Sequence, residues 1–241
     1  MPYGDLLFER LRSANRDELD ALLPVLKLKP LEFKTASDED RISAISKELR
    51  SAAGNSLRNI PRGDHDLPCR RVLIDVADKL APGRWSWSPF KMDSKEPDTE
   101  IEDYIYEHYN RLMQERLATM SADDRRKLQQ AMEADLKGKG YQQDVITAAT
   151  SAIGTGVIAG AAIGPIVAMA LFSTFWTWLV GLTLGEILIG GVLGGGPIGL
   201  LLGGLNFAIS PSYSKTVPAV LRLVFIRQTR AAEAGLGGGG R

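Results

Sequence analysis

The sequence predicts an all-α protein: a charged helical bundle, then a Gly-rich apolar helical hairpin, then a basic C-terminal helix. Three observations carry that prediction. Residues 145–214 hold a single charged side chain, Glu186, in seventy positions. Residues 1–144 instead carry 24 basic and 27 acidic groups, with apolar residues at the three- and four-residue spacing of amphipathic helices. No stretch shows the strict alternation of a half-buried strand. The expected divisions are therefore 1–144, 145–214 and 215–241.

Six helices are expected in the first division. The first spans Asp5 to Arg12, with Leu6, Leu7 and Leu11 inward. Asn15 caps the second, whose stripe is Leu19, Leu22, Leu23 and Leu26, closed by Pro30. Ser37 and Asp40 read as a capping box for a third, with Ile42, Ile45, Leu49 and Ala52 on one face and Gly54 at its end. Pro68 suits the first turn of a fourth, with Leu73, Val76, Ala77 and Leu80 inward. Residues 81–98 read as a loop holding Trp85, Trp87 and Phe90 among Arg84, Lys91 and Lys95, either a cover for the core or a partner or membrane-surface contact. Thr99 and Glu102 suggest another capping box, opening a helix to about Thr119 with the stripe Ile101, Ile105, Tyr109, Leu112 and Met113. Ser121 and Asp124 open the sixth, which ends at Gly138.

The apolar division contains two uncharged runs, Ala152 to Gly185 and Ile187 to Ser210. Each exceeds the roughly 20 residues that cross a bilayer as a helix, so a hairpin with Glu186 at its tip and both chain ends on one side is expected. Gly156, Gly160 and Gly164 recur every fourth residue, as do Gly191, Gly195, Gly199 and Gly203. Such series make side-chain-free grooves through which helices associate in lipid. Phe172, Phe175, Trp176 and Trp178 suit a membrane–water interface. Beyond the hairpin, Pro218 is expected to open an amphipathic helix. Val217, Val220, Leu221, Val224 and Phe225 form its apolar face; Lys215, Arg222, Arg227 and Arg230 would meet anionic headgroups.

Composition narrows the chemistry. Net charge is −3 over residues 1–144, −1 over 145–214 and +4 over 215–241, summing to the overall zero. No broad basic face marks the first division, so nucleic acid is not an expected partner. Cys69 is the one cysteine, which fits a reducing compartment. The N-terminal residues form no basic-then-apolar leader, so the chain is expected on the cytoplasmic side of a membrane, a bacterial inner membrane. Gly154-Thr155-Gly156 lacks the strand before it and the acidic residue about 20 positions on that a dinucleotide site requires. His65 and Cys69, with Asp64 and Asp66, lack a second ligand pair for a metal. His108 reads as a packed histidine, and Glu100, Glu102, Asp103 and Glu107 as a solvated helix face. No cofactor and no enzymatic activity are expected.

Several short motifs resemble the bacterial YaaW family. They are Asp5-Leu6-Leu7-Phe8, Glu18-Leu19 and Leu22-Leu23, then Glu48-Leu49, Gly54-Asn55-Ser56, Arg71-Val72-Leu73-Ile74-Asp75-Val76 and Lys79-Leu80. Met120-Ser121-Ala122-Asp123, Gly195-Gly196-Pro197-Ile198-Gly199 and Thr216-Val217-Pro218-Ala219-Val220-Leu221 continue the likeness through most of the chain. It departs in the apolar stretch, which is longer and more aromatic around Phe172–Trp178. The resemblance implies a helical fold and assigns no activity. The middle region is also similar to the helical domain of ubiquinol–cytochrome c chaperones, which assist respiratory complex assembly.

Three readings follow. In the leading one, a non-enzymatic bundle delivers a glycine-zippered hairpin that inserts, self-associates and perturbs a membrane. In the second, a membrane-anchored chaperone or adaptor holds apolar segments of a protein client. In the third, the glycines pack helices tightly inside a wholly soluble protein. The expected partners are membrane lipids, a second copy of the chain, and a protein client.

Overall fold

The structure is a computed structural model that describes residues 6–56, 67–83, 86–138, 140–155, 164–165, 167–172 and 213–237. Its helices are α1 (Leu6–Ser13), α2 (Arg16–Asp20), α3 (Leu22–Val25), α4 (Asp38–Ser56), α5 (Cys69–Leu80), α6 (Asp98–Thr119), α7 (Ala122–Gly138), α8 (Gln143–Thr155) and α9 (Tyr213–Gly237). A 3-10 turn covers Pro30–Phe33, and residues 164–165 and 167–172 are also helical. Among the described residues there is no strand, in keeping with the all-α expectation.

Local chemistry explains most boundaries. Asn15 and Glu18 form a reciprocal capping box at α2: Glu18 N donates to Asn15 Oδ1 at 2.9 Å, and Asn15 N donates to Glu18 Oε2 at 2.7 Å. Pro24 has no N–H to give the Asp20 carbonyl, so the expected second helix divides at Ala21 into α2 and α3. Lys27 then takes φ 61, and Leu28 N bonds back to Leu23 O, a helix-ending turn usually given to glycine. Ser37 and Asp40 cap α4 as the pattern predicts, although the helix runs past Gly54 to Ser56. Ser121 caps α7 through Asp124 N at 3.1 Å. Gly140, at φ 76, reverses the chain after α7 while Tyr141 N reaches Leu136 O.

The chain divides into two units. The first comprises Met1–His108 with Phe207–Arg227, the second Tyr109–Asn206 with Gln228–Arg241. These do not follow the divisions read from charge and hydropathy. In the first unit the expected stripes are buried: Leu7 and Leu11; Leu19, Leu22, Leu23 and Leu26; Ile42, Ile45, Leu49 and Ala52; Leu73, Val76, Ala77 and Leu80. Leu6 is half-buried. Arg41 stitches α2 and the 3-10 turn to α4. Its Nε meets Asp20 Oδ1 at 2.7 Å, Nη2 donates to Phe33 O at 2.5 Å, and Nη1 donates to Ala36 O.

The C-terminal helix differs from expectation in two ways. It begins at Tyr213, so Pro218 lies inside it rather than opening it. Nor is it amphipathic over its first half: residues 216–221 and 223–226 are all buried, with Arg222 half-buried between them. A helix apolar all round belongs in a core, and here that core position outweighs the missing proline donor.

Among the described residues no helix is long and apolar enough to cross a membrane. This corrects the expectation of transmembrane helices joined by a glycine zipper. The 25-residue α9 has the length but includes Lys215, Arg222, Arg227 and Arg230. The 13-residue α8 is only about 20 Å long at 1.5 Å per residue, and its Ser151 and Thr155 are exposed. The other glycines of the two series, Gly156, Gly160, Gly191, Gly195, Gly199 and Gly203, lie outside the described residues.

Candidate functional site

In the second unit, the charged helix α7 receives the start of the apolar division. Met132 and Leu136 of α7 join Leu117 and Met120 in one buried cluster with Ile146, Ala149, Ala152 and Ile153 of α8 and Val167, Ala170 and Leu171. Leu128 and Ala148 pack against its edge. The α7–α8 seam is close because α8 is lined with small residues. A Cβ on Gly154 would stand 2.8 Å from Gln129 Nε2, the same amide that donates to Thr150 O at 2.8 Å. The opposite side of α7 is a charged surface, with Lys127 bonded to Asp123 at 2.8 Å and Lys137 to Glu133 at 2.6 Å. One helix thus covers an apolar segment while its other face stays compatible with water.

Phe172 and Tyr109 meet edge-to-face at 6.1 Å between ring centres in this unit. Phe172, expected at a membrane–water interface, is buried within this unit. Burial pushes the Tyr109 phenol above its ordinary range. Gly164 is buried as well. Phe175, Trp176, Trp178 and Glu186 lie outside the described residues.

In the first unit, an ion cluster ties three helices around Glu102. This carboxylate is 1% exposed. Arg10 of α1 grips it with both prongs, Nε to Oε1 at 2.9 Å and Nη2 to Oε2 at 3.0 Å. Arg227 of α9 approaches from the other side, Nε to Oε2 at 2.6 Å, and also pairs with Asp103. The Arg227 Nε–H is not aimed along its short contact, which is therefore an ion pair more than an aligned hydrogen bond. Glu102 consequently departs twice from its sequence reading. It is no solvated residue, and it does not reach back to Thr99, because α6 already begins at Asp98. Lys215 pairs with Glu48 of α4 at 2.6 Å. The ammonium and guanidinium expected at lipid headgroups are thus paired inside the first unit, and Arg222 and Arg230 are half-buried.

The loop after α5 is held from both ends. Asp78 accepts from Ser88 N at 2.7 Å and from the Ser88 hydroxyl. Arg70 gathers the far end, donating to Lys91 O at 3.2 Å, Ser94 O at 3.2 Å, Glu96 O at 2.8 Å and Asp98 Oδ1 at 2.6 Å. Between them Phe90 stands edge-on to Tyr104 at 5.4 Å, and Tyr104 stacks on His108 at 3.7 Å. Phe90 and His108 are therefore packed aromatics. Trp87 is 79% exposed on this fixed loop. The sequence marked the aromatics; Arg70 as their fastener was missed, because its acceptors are mostly backbone carbonyls without residue-type signature.

Cys69 is buried at the start of α5, and desolvation, reinforced by Asp98 and Glu102, pushes its thiol up to about 12. It is protonated and unreactive at neutral pH. Among the described residues no three metal-ligating side chains come together; Asp64, His65 and Asp66 lie outside them. Asp75 is buried too, with Oδ1 3.6 Å from Arg71 Nε and Oδ2 without a hydrogen bond. Burial raises its carboxyl to about 6, against the partial opposition of Arg71. Because the folded-state value lies above the ordinary 3.8, ionised Asp75 opposes folding at neutral pH, and that cost disappears as pH falls through about 6 toward 3.8. Asp75→Asn is expected to stabilise the protein at pH 7 by roughly 3 kcal/mol, the free-energy equivalent of the shift. The gain should vanish near pH 4, as read from paired thermal melts across that range.

Comparison with known proteins finds no matching protein-family model, no matching curated protein and no matching solved structure. The YaaW resemblance therefore rests on its short motifs alone.

Proposed function

We propose that this protein is a non-enzymatic adaptor that holds apolar helical segments beside a membrane, on its cytoplasmic side. The observation that supports this reading is the seat on α7: a charged helix presents a narrow apolar stripe, and that stripe covers an apolar segment of the chain itself. Covering apolar surface is favourable whatever its source, at roughly 25 cal/mol per Å². A client helix with small residues on one face would match the stripe as α8 does, in exchange for α8. The likeness to chaperones of respiratory complex assembly points the same way.

Photo-crosslinking tests the reading. Leu128 sits at the edge of the cluster, so a photoreactive side chain there disturbs little. Alone, it should crosslink to residues 146–153. With an apolar helical peptide added, the crosslinks should move to the peptide, and the peptide should stay in the supernatant. A peptide that aggregates at its own rate and takes no crosslink would refute the assignment.

A further inference from the structure

The geometry points to a lipid-docking site on the loop 86–98: we infer that Trp87 enters the interface of a bilayer while Lys91 and Lys95 meet its phosphates. An exposed tryptophan wastes a large apolar surface in water, and a mobile loop would have to lose its freedom on binding. Here that ordering is already in place. The Asp78–Ser88 bonds fix the loop one residue after Trp87, the Phe90–Tyr104 contact fixes it three residues after, and Arg70 fixes it from Lys91 onward. A preorganised contact loses less on binding.

The chemistry around the indole favours lipid over an apolar protein pocket. Pro89, Lys91, Met92 and Lys95 are all exposed on the same loop. Met92 adds apolar atoms at 43% exposure. The two ammonium groups stand on flexible stems that reach a headgroup layer while the ring sits below it. Of the loop's carboxylates, Asp98 is bound by Arg70 at 2.6 Å, while Glu96, 3.9 Å from the same guanidinium, and Asp93 stay exposed. The same chain carries seventy residues with one charge, which gives a membrane setting its own motive. The inference takes that setting from the proposed function and needs no client.

The test uses the full chain and vesicles of phosphatidylcholine and phosphatidylglycerol in equal parts. Trp87→Ala is expected to lower the partition coefficient at least about tenfold, since taking the indole out of the bilayer interface forfeits at least the 1.4 kcal/mol that a factor of ten represents. Circular dichroism should be unchanged, because Trp87 is exposed. K91E combined with K95E should weaken binding to these vesicles and spare binding to neutral ones. In vesicles of brominated lipid, W87F should reduce the quenchable share of tryptophan emission. Equal partitioning of parent and W87A would overturn the assignment, as would unchanged quenching in W87F. A dimer without lipid that W87A converts to a monomer would show instead that the loop binds a second copy. Vesicles contain no apolar peptide and the Leu128 crosslinking contains no lipid, so either reading can fail alone.

Discussion

Glu102→Ala is expected to release α9 from the first unit and to cost about 3–5 kcal/mol, the usual penalty for removing one partner of a buried ion cluster. The substitution leaves Arg10 and Arg227 facing each other, each with a side chain only about one-fifth exposed. Arg227 keeps Asp103; Arg10 has no such substitute among the contacts that hold it to α6. Hydrogen exchange is the discriminating measurement. Amides of residues 217–226 should lose protection, while those of α7 and α8 change little. Replacing Arg10, Glu102 and Arg227 together by leucine should recover most of the loss, since three apolar residues leave no stranded charge. A Glu102→Ala protein that melts with the parent would mean that apolar burial alone holds α9.

Arg41→Ala is expected to be comparably severe. Arg41 is 1% exposed; it hydrogen-bonds the Asp20 carboxylate and two carbonyls and lies 3.5 Å from Asp38 Oδ1. Charged hydrogen bonds contribute about 1.5–3 kcal/mol each, and losing this fork leaves the carbonyls of Phe33 and Ala36 short of a donor. Asp20 is 43% exposed at its side chain and water will serve it. A net loss of about 3 kcal/mol corresponds to a fall in melting temperature of roughly 10 °C for a protein this size. Arg41→Lys should recover little, because one ammonium does not reproduce a planar fork. A fall of only a degree or two in Arg41→Ala would show the three contacts to be incidental.

The helices of the first 140 residues were legible because their signals are local. Asn15 alone, Ser37 with Asp40, and Ser121 with Asp124 each announce a helix start within four residues. The stripes built on leucine and isoleucine faithfully name the buried face. What misled was long-range pairing. Glu102 resembles any acidic residue on a charged helix until Arg10, ninety-two positions earlier, and Arg227 fold against it. The same holds for α9: its arginines suggest a wet face, while burial on every side of Val217 to Ile226 comes from tertiary position. The apolar start of the hairpin was read as lipid-facing because hydropathy records that a face is covered and not by what. Of the candidate binding features, the aromatic loop was visible in the sequence; its fixing by Arg70 and Asp78 was not.

The first unit is interrupted: residues 109–206 lie in sequence between the two pieces that build it. During synthesis, α1 to α5 therefore emerge without the helix that completes their core. At ordinary translation rates of about 5–20 residues per second, the wait lasts on the order of ten seconds. During that interval most of the apolar stretch is synthesised, while the Glu102 site awaits Arg227. The nascent chain thus passes through a stage at which its stickiest segment is made and its closing helix is not. Such a chain is expected to depend on general chaperones while it is being made, and to refold from denaturant more slowly than its local helices form.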